Sequence, residues 1–197
     1  MQRGLYFLYR RQRDPRTVNA SRTQPDRLAQ VMQGIHQRGW CDGTGGNFSV
    51  VQQRYPLRLL MAPSGVDKGE VQADQLIVVD GDGKVVNGEG KASAETALHL
   101  RIVEANNAGA VLHTHSVPGT VLSHHYEDQG GVALEGWEML KGLRGINTHA
   151  TSINIPVISN SQSMQELGDA IAPFLPSAPN GFLVAGHGLY SWGETLD

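Results

Sequence analysis

The run Ala110-Val111-Leu112 leads straight into His113-Thr114-His115-Ser116. If the run is a strand, side chains alternate with period two and the two imidazoles share one face. Neighbouring imidazoles on one face can hold a single metal ion, and zinc is a common choice. Taken alone, the pair fits a polar strand end equally well. His187 stands between Gly186 and Gly188, directly after the apolar run Gly181-Phe182-Leu183-Val184-Ala185. That is a good place to present a side chain into a cleft, although by itself a structural role is the simpler reading. Two carboxylates also invite attention. Glu95 follows Ser93 at the start of an expected helix, where an acid interacts favourably with the helix dipole by about 0.3–1 kcal/mol. Glu138 lies in Gly136-Trp137-Glu138-Met139-Leu140-Lys141-Gly142, which reads as a helical turn and could equally leave the acid in water.

Asp42-Gly43-Thr44-Gly45-Gly46-Asn47-Phe48-Ser49 offers a different chemistry. Glycines let backbone N–H groups converge on an anion, and Thr44, Asn47 and Ser49 add side-chain donors. The third glycine of a dinucleotide fingerprint and the Gly-Lys-Ser/Thr ending of a Walker loop are both missing. On these residues alone a turn is the simpler reading. Asp80-Gly81-Asp82-Gly83 has two calcium-type acids without the rest of such a loop, and it reads as a hairpin. His124 and His125 are adjacent, splay apart on a helix and make a poor metal site. His99 suits a surface or packing position, and His149 sits between elements with no obvious partner.

The elements that must position these residues are legible in part. Pro25 opens an amphipathic helix with Leu28, Val31, Met32 and Ile35 on one face, stopped by Gly39. Strands are expected over Leu57 to Met61, Leu76 to Val79, Lys84 to Val86 and Ile153 to Ile158. Ser93 is expected to cap a helix that buries Ala97, Leu98, Ile102 and Ala105. Ser163-Met164-Gln165-Glu166 is a capping box opening a helix with Met164, Leu167, Ile171 and Phe174 inward.

A chain of 197 residues, 40% hydrophobic and 18% charged, suits one soluble domain with a full core. A net charge of −3 and the lack of a basic stripe argue against nucleic acid. No apolar run reaches the length of a membrane span. Cys41 is the single cysteine and cannot form an internal disulfide, so a reducing compartment such as the cytoplasm is expected. It reads as a passive small residue rather than a nucleophile. Residues 1–24 are arginine-rich, carry Asp14 as their one acid before Pro25, and read as a disordered or extraneous extension. A single domain over 25–197 follows.

Four pieces occur together and in order: Thr44-Gly45-Gly46-Asn47, Ser93-Ala94-Glu95, His113-Thr114-His115 and Gly186-His187-Gly188. The set resembles the class II aldolase/adducin family. Arg38-Gly39-Trp40, Trp137 to Gly142 and His187 to Thr195 resemble one branch of it, the methylthioribulose-1-phosphate dehydratases of methionine salvage. The resemblance implies an α/β fold, a three-layer α/β/α sandwich with a mostly antiparallel central sheet. The strands and helices read above are compatible with it and do not dictate it. It further implies a homotetramer with active sites at subunit contacts and one Zn2+ per subunit on His113, His115 and His187. Three protein ligands leave the open position of a catalytic zinc.

The implied substrate is 5-methylthioribulose 1-phosphate, dehydrated to 2,3-diketo-5-methylthiopentyl 1-phosphate. Glu138 is the first choice for acid/base, with Glu95 second and lining the substrate. Thr44, Gly45, Gly46, Asn47, Ser64, Gly65 and Ser93 would hold the phosphate. A sugar-phosphate aldolase or epimerase using the same zinc-stabilised enediolate is an alternative. So is a non-catalytic adducin-like interaction domain, against which the complete histidine set counts. Two departures stand out. Ala92-Ser93-Ala94-Glu95 replaces the family's frequent Pro-Ser-Ser-Glu, removing one hydroxyl from the phosphate site. The sequence stops at Glu194-Thr195-Leu196-Asp197, where a further helix, the family's terminal one, is expected to begin.

Overall fold

The computed structural model describes residues 23–143 and 145–197. The expected N-terminal extension therefore lies outside the described residues, apart from Thr23 and Gln24. Those two belong to the first helix and its cap. Helix α1 (Gln24–His36) begins at Thr23, whose side chain and that of Asp26 bond reciprocally to each other's backbone, with Pro25 in the first turn. Gly39 follows at φ +68, a left-handed conformation that suits glycine.

Then come β1 (Asn47–Gln53), β2 (Arg58–Met61), β3 (Ile77–Asp80) and β4 (Val85–Asn87), followed by α2 (Thr96–Asn106), β5 (Ala110–Thr114) and α3 (Val117–His125). The chain finishes with β6 (Gly131–Glu135), β7 (Ser152–Ile158), α4 (Met164–Ile171), β8 (Gly181–Val184) and β9 (Gly188–Gly193). The strands form one sheet in the order β4-β3-β2-β1-β5-β9-β8-β7-β6. Every pairing is antiparallel except β7 with β8. Asp80 anchors the β3–β4 hairpin by accepting from the backbone of Asp82 and Lys84, so it has a turn role.

The two-residue period builds two cores from the same strands. Leu59, Met61, Ile77 and Val79 face α2 and α4, meeting Leu98, Ile102, Leu167 and Ile171. Leu60 and Val78 point the other way, to Phe48 and to Leu28 and Met32 of α1. On β8, Phe182 and Val184 join the first core while Leu183 faces the opposite side, where α3 packs. The result is three layers: α1 and α3, the sheet, then α2 and α4. Each fully buried aliphatic or aromatic side chain contributes about 1.5–3 kcal/mol to holding the layers together.

Three local expectations are corrected. The Ser93 hydroxyl accepts from the Glu95 N–H, so α2 starts later, at Thr96, with Glu95 as its cap residue. Its buried face includes Leu98, His99, Leu100, Ile102 and Val103, while Ala97 and Ala105 are exposed, because the helix packs against both the sheet and α4. Phe174 lies beyond the end of α4 and is 41% exposed, with Leu175 taking the inward place.

Candidate metal centre

The three histidines come together at the C-terminal end of β5. His113 is paired with Tyr190 of β9 in the sheet, and His115 continues past the strand's end, its N–H donating to the Trp40 carbonyl. His187 is carried by the β8–β9 turn. That turn can approach β5 so closely because it is glycine-flanked. Gly186 has φ +63, and a Cβ on Gly188 would sit 2.2 Å from the Thr114 carbonyl oxygen. Helix α3 secures the turn from the other side: the Thr120 hydroxyl donates to the His187 carbonyl and the Gly186 N–H donates to Ser123. The Nε2 atoms of His113 and His115 are 2.8 Å apart, and those of His113 and His187 are 3.3 Å apart.

The protonation of the set suits a cation. His113 Nδ1 lies 3.1 Å from the Leu189 carbonyl, which only accepts, so the neutral ring carries its proton there and turns the Nε2 lone pair to the cluster. Burial, then the neighbouring His115 and His187, holds the His113 pKa well below the ordinary histidine value. Burial, then His187 and Lys68, lowers that of His115. Imidazoles that stay neutral are ligands in waiting. Zinc–nitrogen bonds of about 2.0–2.1 Å in a tetrahedron place ligand nitrogens about 3.3 Å apart. The His113–His187 separation matches, the His113–His115 pair is slightly tighter, and all three ligand atoms fall within 4.8 Å of one another. The residues fit the metal. Behind them Tyr190 stacks on His113 at 4.0 Å and on Phe182 at 4.9 Å, tying the ligand to the core.

The structure brings Glu95 to this cluster and leaves Glu138 out of contact with it. Glu95 lies 3.5 Å from His187 Nε2 and 3.8 Å from His113 Nε2. Asn47 Nδ2 donates to its Oε2 at 2.5 Å, so this amide, expected at the phosphate, holds the carboxylate instead. Burial raises the Glu95 pKa against the opposing pull of His187 and Tyr190. Burial, then the Glu95 charge, raises that of Tyr190, whose hydroxyl is enclosed without a well-formed hydrogen bond. Glu138 sits on a short 3-10 turn (Glu138–Gly142) between β6 and β7 with its side chain 69% exposed. It pairs with Lys141 at 2.5 Å and with His149 at 3.4 Å, which gives His149 the partner its sequence position did not suggest.

The glycine loop borders the histidines. Cβ atoms added at Gly45 and Gly46 would lie 3.0 Å from His115 Nδ1 and 2.7 Å from the His113 carbonyl. The Ser64–Gly65 turn is tied to the segment before Ser93 by the Ser64 N–H, which donates to the Lys91 carbonyl at 2.8 Å. Three residues here escaped the sequence reading or were left passive in it. Lys68, in a polar Asp-Lys-Gly stretch, is 2% exposed and donates to the Thr44 and Val66 carbonyls. His99 is fully buried with Nδ1 2.7 Å from the Ser49 hydroxyl. Only its place in an apolar helix stretch hinted at that. Cys41 is buried, and burial pushes its thiol up to about 11, consistent with packing rather than nucleophilic work.

The model of the Class II Aldolase and Adducin N-terminal domain matches residues 26–197. The chain belongs to that family. Among curated members, the methylthioribulose-1-phosphate dehydratase of Gluconacetobacter diazotrophicus is 42% identical, with 81% of this chain and 77% of the relative covered. The one from Acidiphilium cryptum is 39% identical over 91% of this chain and 83% of the relative. Among solved family folds, YgbL from Escherichia coli superposes with a TM-score of 0.74 at 26% identity, covering 87% of this chain and 79% of that one. L-fuculose-1-phosphate aldolase from Thermus thermophilus gives 0.66 at 23% identity, covering 86% and 78%, and supports the fold alone. The α/β sandwich expected from the family resemblance is therefore borne out. Among the described residues no helix is long and apolar enough to cross a membrane.

Proposed function

We propose that the protein dehydrates 5-methylthioribulose 1-phosphate to 2,3-diketo-5-methylthiopentyl 1-phosphate in methionine salvage, as a cytoplasmic homotetramer with one Zn2+ per subunit. The observation that carries this reading is the trio of converging imidazole nitrogens in a chain about 40% identical to dehydratases of that name. His113, His115 and His187 would hold the zinc, which when bound would supply a Lewis acid for the ketose, worth several kcal/mol in the transition state. The chain's own residues do the rest. Glu95, fixed by Asn47 beside two ligand imidazoles, lines the substrate and orients C2 and C3. Glu138 moves the protons: its carboxylate takes the C3 proton and passes it to the C4 hydroxyl, which leaves as water. The resulting enol tautomerises to the diketone. Its assignment rests on the resemblance carried by Trp137 to Gly142 and on a side chain exposed enough to reorient. Thr44, Gly45, Gly46, Ser64, Gly65 and Ser93 receive the phosphate, with Asn47 serving the site through Glu95.

Incubation with 5-methylthioribulose 1-phosphate, followed by product mass with and without a chelator, tests the reading. Loss of one water that a chelator abolishes is the expected result; a cleaved two- or three-carbon fragment overturns it. Glu138→Gln should lower kcat about 10²–10⁴-fold with zinc content unchanged, the usual size of a lost acid/base. A second reading, aldolase or epimerase, is favoured by one observation: Glu95, not Glu138, is the carboxylate touching the ligand set. Full turnover in Glu138→Gln together with its loss in Glu95→Gln would transfer proton movement to Glu95 and support that reading.

A further inference from the structure

Lys68 is one of four lysines in the chain, with Lys84, Lys91 and Lys141, and it alone is buried. A buried ammonium normally faces a carboxylate, because an unpaired charge out of water is costly. Among the described residues no carboxylate lies within ion-pair distance of it. The adjacent Asp67 is engaged elsewhere: Oδ1 accepts from the Gly69 N–H at 2.7 Å and lies 3.6 Å from His36 Nδ1. Lys68 Nζ instead donates to two backbone carbonyls, Thr44 at 3.0 Å and Val66 at 2.9 Å. Three ammonium hydrogens for two protein acceptors leave one donor over.

The two carbonyls belong to the two turns that the proposed function gives to the phosphate. Thr44 lies in the glycine loop against His115, and Val66 follows Ser64 and Gly65. Both turns leave donors open: among the described residues the backbone N–H groups of Gly46 and Gly65 have no acceptor, and Gly46 is buried. Open donors on turns held by a buried ammonium that has no ion-pair contact are what an anion would complete.

We propose that Lys68 is the positioning residue and buried counter-charge of the phosphate cradle, pinning the 42–46 and 63–66 turns to each other beneath the substrate's phosphate. The inference rests on the phosphate-ester reading of the substrate. Its consequence is that affinity for phosphate resides in a cation that never reaches the surface. Such a charge is screened by salt far less than an exposed lysine such as Lys84.

The experiment uses the zinc-loaded full chain as wild type, Lys68→Met and Lys68→Arg, with thermal melts and zinc content establishing the fold. Inorganic phosphate binding is titrated calorimetrically, and KM and kcat are measured with 5-methylthioribulose 1-phosphate. Lys68→Met should weaken phosphate binding and raise KM at least tenfold while kcat stays within about threefold, and Lys68→Arg should recover part of the loss. Unchanged phosphate affinity in folded Lys68→Met overturns the proposal, as does a fall in kcat with KM unmoved. Because phosphate binding is read without turnover, a protein inactive on this substrate would sink the proposed reaction while leaving this test intact. Should neither variant fold, wild-type protein labelled with 15N at lysine side chains provides the answer. The protected Lys68 ammonium resonance should shift on adding phosphate, and an unmoved resonance overturns the inference.

Discussion

Acidification from about pH 7 to about pH 5 should unmask His99 as a proton-linked weak point. Its ring is wholly buried on α2, Nδ1 meets the Ser49 hydroxyl, and Nε2 is enclosed with no partner among the described residues, which offer a second ring proton no acceptor. Burial lowers its pKa from 6.5 to about 3. The folded pKa lies below the unfolded one, so the unfolded chain binds the proton more readily. Stability is therefore complete above about pH 6.5 and falls as pH drops toward about 3. The limiting slope is about 1.4 kcal/mol per pH unit, and integrating from about pH 7 to about pH 5 gives a loss of about 2 kcal/mol. For a domain of this size that corresponds to a Tm drop of about 4–8 °C. His113 and His115 act in the same direction, so the contribution must be isolated by comparison. Urea melts of wild type and His99→Gln at both pH values, under one metal condition, supply it. The variant should lose about 2 kcal/mol less than wild type over that interval. Identical losses in the two proteins would refute the reasoning.

Other outcomes follow from particular contacts. Gly188→Ala drives a Cβ into the Thr114 carbonyl, so the turn must move, costing about 1–3 kcal/mol and displacing His187. Thermal melts and zinc content should both fall. Asn47→Ala removes the donor that binds Glu95, and urea melts should register about 1.5–3 kcal/mol, the scale of a hydrogen bond to a charged group. Thr23→Ala breaks the α1 capping box and should cost about 1 kcal/mol by the same assay, with zinc content unchanged.

Much of the positioning was legible because it is local. Period two placed His113 and His115 on one face, and the glycine flanks of His187 marked a turn that must come close to something. What they approach was not legible: pairing of β5 with β9 joins segments more than seventy residues apart, and no local pattern encodes that. The start of α2 shifted because Ser93 spends its hydroxyl on Glu95, a turn bond that competes with capping and looks the same in sequence. Lys68 was passed over, and His99 was left between a surface and a packing role, for one reason. Polar residue types carry a surface expectation, and only the partners brought by distant segments, Thr44 for one and Ser49 for the other, make their burial tolerable.

The ligand set also has a meaning for the chain as a polymer. His113 and His187 are 74 positions apart, so an ion shared between them fastens the ends of a long loop that includes α3, β6, β7 and α4. A covalent cross-link closing a loop of that length reduces the entropy of the unfolded chain by an amount worth on the order of 4 kcal/mol. An ion retained by all three histidines would act as such a clasp on the unfolded ensemble. Supply of the metal would then set the lifetime of the protein as well as its chemistry, and a cell short of zinc would lose the molecule before it accumulated an idle one.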